Sequence, residues 1–488
     1  MQISRTSAPA RAAQAPPAPS PAPADVAVSS NAQDTTVLSN GAASVKSQTA
    51  APLRTAKVAF KKNPPQPVSG AYVYADSDSR VHGALPFAAA ASTVAVFESA
   101  LGKPITWSFH RDRLDVVPDR GQNLNAFYDA FDGTLNFFHA VDPRRGHTIY
   151  TGDSGEVASH ETGHAILDAL RPGYLQSFGY DTRAFHEAFG DVTAMIMSLR
   201  DERTLDLVMA QTNGDLSKPN AVAAMGEQLG MAINHNAGQN VTGGPWLRNA
   251  INTFTWARPS SLPTIGGPDQ LGNEEHSFSR LWTGATYDVL RGIVNRSTAA
   301  GIPARDALRA AGDELLTIYV NLFKTAPQGE FTYKDMALAM IKADRSYNSG
   351  RNADLMTQVF TRRKIIPRDA VESLVTEARP REDHAPPSAD PGTFDLQVTL
   401  RGDGFGMFDG AVVEVPIDAD GALTQSTEVG DRLRESMRAL IAAGRIKYTE
   451  PNQKLEKRDL FDSEGRPYVG VVRWLDGRMR IERTAIAS

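Results

Sequence analysis

The spacing of apolar positions divides this chain before any chemistry is considered. From Leu281 to Ile293 and from Arg305 to Phe323, apolar residues recur three and four apart, which predicts two amphipathic helices. Phe394 to Leu400, Ala411 to Val415, Tyr468 to Trp474 and Arg478 to Arg483 read as short strands. Gly477 falls in an Asp-Gly hairpin turn, and Glu428 to Ala443 reads as a helix, so residues 392–488 are expected to form a small α+β domain of unassigned role. Residues 1–65 follow neither period. They are rich in Ala, Pro, Ser, Thr and Gln, as in Ala15-Pro16-Pro17-Ala18-Pro19, and read as a disordered tail with too little apolar area to fold. The charged, proline-containing stretch Glu377 to Pro391 places a linker at residues 368–391. The longest apolar run, around Ala88 to Phe97, is short of the roughly 20 residues that span a bilayer and reads as part of an amphipathic helix.

Composition narrows the choices. With 41% hydrophobic and 22% charged residues among 488, the chain has the make-up of an ordinary soluble protein. A net charge of −5 gives no basic stripe for nucleic acid, and neither a nucleic-acid nor a membrane partner is expected. The absence of cysteine excludes disulfides and thiolate metal sites, leaving His, Asp and Glu as the ligands at hand. No apolar h-region follows Arg5, so the tail does not read as a signal peptide. Localisation and oligomeric state stay open.

One pentapeptide carries chemistry. In His160-Glu161-Thr162-Gly163-His164 the two histidines stand at i and i+4, which on a helix puts both imidazoles on one face with Glu161 toward the same open side. A catalytic zinc takes three protein ligands and keeps one position open. No third histidine follows at the HxxGxxH spacing, but Glu187 and Asp191 form an acidic i, i+4 pair in a mostly apolar segment, and carboxylates in such a place need a reason. The reading is His160, His164 and Glu187 as zinc ligands, Asp191 as the orienter of a histidine ring, and Glu161 as general base toward a zinc-activated water. The plainer alternative is a chance pentapeptide on a surface helix with solvated carboxylates.

Beyond this helix the chain resembles the thermolysin-like family of zinc endopeptidases. Asn125-Ala126-Phe127-Tyr128 is similar to the family's Asn-Ala-Phe-Trp edge strand, which pairs with substrate backbone. Gly226-Glu227 and Trp246-Leu247-Arg248 resemble its Ile-Gly-Glu and Leu-Arg-Ser segments, and Asn273 to Ser279 carries His276 where the family has its oxyanion-binding histidine. Phe331 to Ile366 reads like its closing helices. The resemblance runs from about residue 70 to 367, with the parts in the family's order.

The resemblance implies an α+β catalytic region of two lobes, a mixed α/β lobe over 66–155 and zinc helices with an α-helical lobe over 156–367. It implies a protein or peptide substrate, Arg248 and His276 as donors to the oxyanion, Asn125 and Ala126 on the substrate backbone, and Val157 and Leu247 in an apolar pocket. A tyrosine near the zinc would be Tyr174 or Tyr180, with Tyr174 favoured after Pro172-Gly173. The family's paired calcium site is depleted: Glu156 and Glu227 remain, but Ser198 and Ala223-Ala224-Met225 stand where carboxylates would, so calcium is doubtful. The other histidines, His82, His110, His139, His147, His186, His235 and His384, have no ligand spacing and read as incidental. The competing function is a peptidase-fold binding protein in which residues 392–488 carry a partner-binding role.

Overall fold

A computed structural model describes residues 23–49, 51–367, 370, 393–418, 422–463 and 465–487, and its architecture is mixed α+β. The hairpin β1 (Ala24–Ser30) and β2 (Gly41–Ser47) precedes β3 (Val58–Phe60) and the long helix α1 (Val81–Leu101). Strands β4 (Leu114–Val117), β5 (Ala126–Asp129), β6 (Thr134–Phe137), β7 (His139–Val141) and β8 (Thr148–Tyr150) lead into α2 (Gly155–Leu170), α3 (Pro172–Leu175), α4 (Tyr180–Ser198) and α5 (Glu202–Thr212). The pair β9 (Ala224–Met225) and β10 (Arg248–Asn249) brackets α6 (Glu227–Ala237), and α7 (Glu275–Ala299), α8 (Ala304–Leu322), α9 (Tyr333–Tyr347) and α10 (Ala353–Arg362) follow. The remainder holds β11 (Thr393–Thr399), β12 (Val412–Asp418), α11 (Ala422–Ala442), β13 (Ile446–Lys447), β14 (Gly470–Leu475), β15 (Arg478–Arg483) and β16 (Ile486–Ala487).

Local chemistry starts the helices that matter most. Ser154 caps α2 by accepting the Val157 N–H, Glu274 caps α7 through Ser277, and Thr332 with Asp335 forms a capping box on α9. The helices α2 and α4 pack on each other and α4 on α7, with Phe185, Phe189, Trp282 and Tyr319 in the shared core. The main sheet has the order β16-β5-β6-β4-β3. It therefore begins at Val58, before the expected boundary at residue 66, because β3 pairs parallel with β4.

Two expectations need correction. The tail reading fails for residues 23–49, where β1 and β2 pair over seven residues each; Val28 and Val45 are buried and β1 packs on α1. This hairpin gains its stability from that helix rather than from its own composition. Residues 1–22 lie outside those described, as does nearly all of the linker. Second, α1 is not an amphipathic surface helix. It is long and apolar enough to cross a membrane by length and composition alone, and it packs against β1, α2 and α8, with Leu85, Phe87, Val94 and Phe97 buried. A helix contacted on several sides is apolar on several sides.

Strands between residues 393 and 483 form a second sheet, ordered β11-β12-β15-β14-β13, with α11 against β11. Asp476 and Gly477 both take positive φ, 49° and 73°, as an Asp-Gly hairpin turn between β14 and β15 requires. The core of this domain, built on Val413, Val415, Leu433, Met437 and Val472, also takes in Phe178 from the loop before α4.

At the foot of α2, Asp168 accepts hydrogen bonds from Ser108 and, at 2.8 Å, from the Tyr128 hydroxyl. Burial pushes its carboxyl up to about 6 against the opposing effect of these donors. The native state thus holds the proton more tightly than the unfolded chain, so this group's contribution to stability falls as pH rises from about 4 to about 6 and then levels. Denaturant titrations should show the stability of wild type relative to Asp168→Asn falling by on the order of 2–3 kcal/mol between pH 4 and pH 7. A difference constant with pH would mean that Asp168 is ionised throughout.

Candidate metal centre

The geometry starts from two close-packed helices. A Cβ added to Gly190 of α4 would lie 2.6 Å from the His160 ring, and one added to Gly163 of α2 would lie 2.8 Å from Thr193 Oγ1. Only glycine allows this approach, and it brings Glu187 of α4 opposite both histidines of α2. His160 Nε2 and His164 Nε2 each lie 3.5 Å from one oxygen of Glu187. A tetrahedral ion with bonds of about 2.0–2.1 Å separates its ligand atoms by roughly 3.3 Å, close to the spacing of His160 Nε2 from Glu187 Oε2 and of His164 Nε2 from Glu187 Oε1. Three atoms here are buried without a hydrogen-bond partner, His164 Nε2, Glu187 Oε2 and Glu161 Oε2, while His160 Nε2 lies 3.4 Å from Arg248 Nη2. His160, Glu161 and His164 together form a buried group that can hold a metal ion.

The surroundings orient this set. Asp191 Oδ1 lies 3.1 Å from His160 Nδ1 and 2.9 Å from Arg248 Nε, while its Oδ2 accepts from Thr283 at 2.9 Å. Burial alone would raise the Asp191 carboxyl, but Arg248 and His160 outweigh it and hold the group below its usual value. Glu161 is pushed up to about 7 by burial, only partly offset by His160. His276 presents Nε2 at 3.4 Å from Glu187 and Nδ1 to Glu274. Burial opposes its charge, yet Glu187 and Glu274 prevail and raise its pKa to about 10. Arg248 reaches the same carboxylate, with Nη1 3.8 Å from Glu187.

These residues open onto a cavity of about 740 Å³ lined by Asn125, Ala126, His160, Glu161, Arg248 and His276, with Val157 and Leu247 among its apolar walls. Asn125 precedes β5 rather than lying on it, and its side-chain oxygen accepts the Ala126 N–H at 2.9 Å. The strand expected to lie at an edge is not one, because β16 pairs outside β5 at Tyr128 and Asp129. Tyr174 does not reach the cavity: its ring is buried against Phe185 and Phe331 and its hydroxyl is given to the Pro327 carbonyl. Tyr180 is no substitute, since its hydroxyl bonds the Glu435 carbonyl at 3.3 Å.

One residue read as incidental belongs to the site. His186 Nδ1 lies 2.7 Å from His164 Nδ1, so it fixes that ring as Asp191 fixes His160. Its only sequence signal was adjacency to Glu187. His82, His139 and His235 instead pair with Asp153, Asp119 and Asp142, His110 and His147 are exposed, and His384 lies outside the described residues.

Where the resemblance would place calcium, the N-terminal hairpin intrudes. Ser198 Oγ donates to the Ala32 carbonyl at 3.2 Å, Gly155 N–H to the Gln33 carbonyl at 3.1 Å, and Gln228 N–H to Asp34 at 2.9 Å. With its amide nitrogen turned inward, Gln33 donates to Ala221 O and Glu156. Burial and the neighbouring Glu227 push the Glu156 carboxyl well above its usual range.

Comparison with protein-family models and with curated proteins gives no match for this sequence.

Proposed function

We propose that the protein is a zinc-dependent endopeptidase of the thermolysin-like kind, with the two-lobed catalytic architecture of that family. The observation that carries the reading is the fit of His160, His164 and Glu187 around one ion-sized gap, with an unpaired Glu161 carboxylate beside it. Zinc, when bound, would supply Lewis acidity to a water molecule and to the scissile carbonyl. Glu161 takes the proton from the attacking water and passes it to the leaving nitrogen. His276 and Arg248 are cationic donors on the cavity wall that stabilise the oxyanion, Asn125 holds substrate backbone, and Val157 and Leu247 receive an apolar side chain after the scissile bond.

Digestion of an unfolded casein-type substrate is expected to stop when a chelator removes the metal and to return when zinc is restored. Hydrolysis that persists in metal-free protein would overturn the reading. Stoichiometric zinc without hydrolysis of any unfolded substrate would favour the peptidase-fold binding protein instead.

A further inference from the structure

The strand that opens onto the cavity is partly taken by the chain itself. Ala126, the first residue of β5, lines the cavity with His160 and Glu161, whereas the last two residues of the same strand are paired by β16. Ile486 lies opposite Asp129 and Ala487 opposite Tyr128, and the Ala130 N–H donates to the Ala485 carbonyl at 2.8 Å. The pairing is antiparallel, so the chain at Ala487 heads back along β5 toward Ala126. At about 3.3 Å per residue, Tyr128 is only some 7 Å from the cavity-lining end of the strand. The side chain of Ile486 is buried with Phe127 and Phe138, as an anchoring side chain of an added peptide strand would be.

The rest of the domain is tied to the end of β5, to the start of α7 and to α3. Lys457 reaches Asp129 and, at 2.7 Å, Asp132. Arg445 lies 3.1 Å from Glu275, the residue before His276, and Arg483 donates to the Leu175 carbonyl at 3.0 Å. A peptide laid along β5 and across the site would need the backbone edge of Tyr128 and Asp129 that β16 holds.

Resting on the peptidase reading, we propose that Thr484–Ala487 is an internal occupant of the substrate-backbone groove, and that residues 393–487 restrain the enzyme until this strand is displaced. The contact suits a removable strap, since it is a two-residue pairing supported by ion pairs at the domain margin.

The test uses the full chain carrying Glu161→Gln, so that a bound peptide is not cut, and reads the polarisation of a fluorescein-labelled Ile-Glu-Arg-Thr-Ala-Ile-Ala peptide. Adding Ile486→Asp, or deleting residues 485–488 in the same background, should tighten peptide binding at least about tenfold, as expected when an internal competitor leaves most sites closed. Both variants are checked for zinc content and cooperative unfolding, and the deletion stands in if Ile486→Asp does not fold. Equal affinity in the closed and opened chains, or no binding by any of them, overturns the proposal. If the opened chains bind the peptide but zinc-loaded Ile486→Asp with Glu161 intact cuts no unfolded substrate, the occlusion stands and the peptidase reading falls.

Discussion

Replacing Glu161 with glutamine is expected to leave the metal in place and to lower peptide hydrolysis by about 10²–10⁴. The amide keeps the volume and the helical position of the carboxylate and still offers an oxygen to the group that Glu161 forms with His160 and His164, so the zinc content of the variant should match that of wild type. What the amide cannot do is accept a proton. The carboxylate it replaces is 4% exposed, has one oxygen without a hydrogen-bond partner and is held up to about 7 by burial. The check is a paired measurement of zinc content and casein-type digestion for both proteins. Undiminished digestion by the zinc-loaded variant would remove Glu161 from the chemistry. Lost zinc would mean that the carboxylate serves the metal rather than the water.

The cluster that could hold a metal was legible because its determinants are local. His160 and His164 share a helical face by spacing alone, and Glu187 and Asp191 announce themselves as acids in an apolar segment, so close packing of two helices suffices to bring the four together. Residues whose place depends on distant contacts were hidden. His186 matters only because α2 and α4 pack so that its ring meets that of His164, a register that neither helix encodes by itself. Tyr174 stands just after α2, where the resemblance puts a tyrosine of the site, but the chain returns at Pro327 and takes its hydroxyl away.

The α+β make-up of residues 392–488 was likewise readable from apolar spacing, and the strand Arg478–Arg483 was delimited by its hairpin turn. The hairpin at Ala24–Ser47 was not, because sequences so rich in Ala and Ser carry little strand preference and only burial against α1 makes them strands. β16 is the extreme case. Two residues have no period at all, and nothing in Ile486-Ala487 points to Tyr128. The same nonlocality gives that contact its functional weight, since it reads the edge of β5 as a peptide substrate would.

His276→Ala should reduce kcat by about 10²–10³ while KM changes little, because the donor it removes is aimed at charge that develops only in the transition state. The placement supports this split. Nε2 faces the Glu187 carboxylate at 3.4 Å, on the wall of the cavity, and Nδ1 is tied to Glu274, so carboxylates orient both ring nitrogens. A structural role would look different. Glu274 also caps α7 through the Ser277 N–H, so a histidine that merely steadied that cap would, when removed, lower the thermal midpoint and disturb binding and turnover together. The deciding measurement is therefore kcat and KM taken separately, beside the unfolding midpoint. A fall in kcat/KM carried by KM, or by a destabilised helix start, would leave Arg248 as the remaining side-chain donor to the oxyanion.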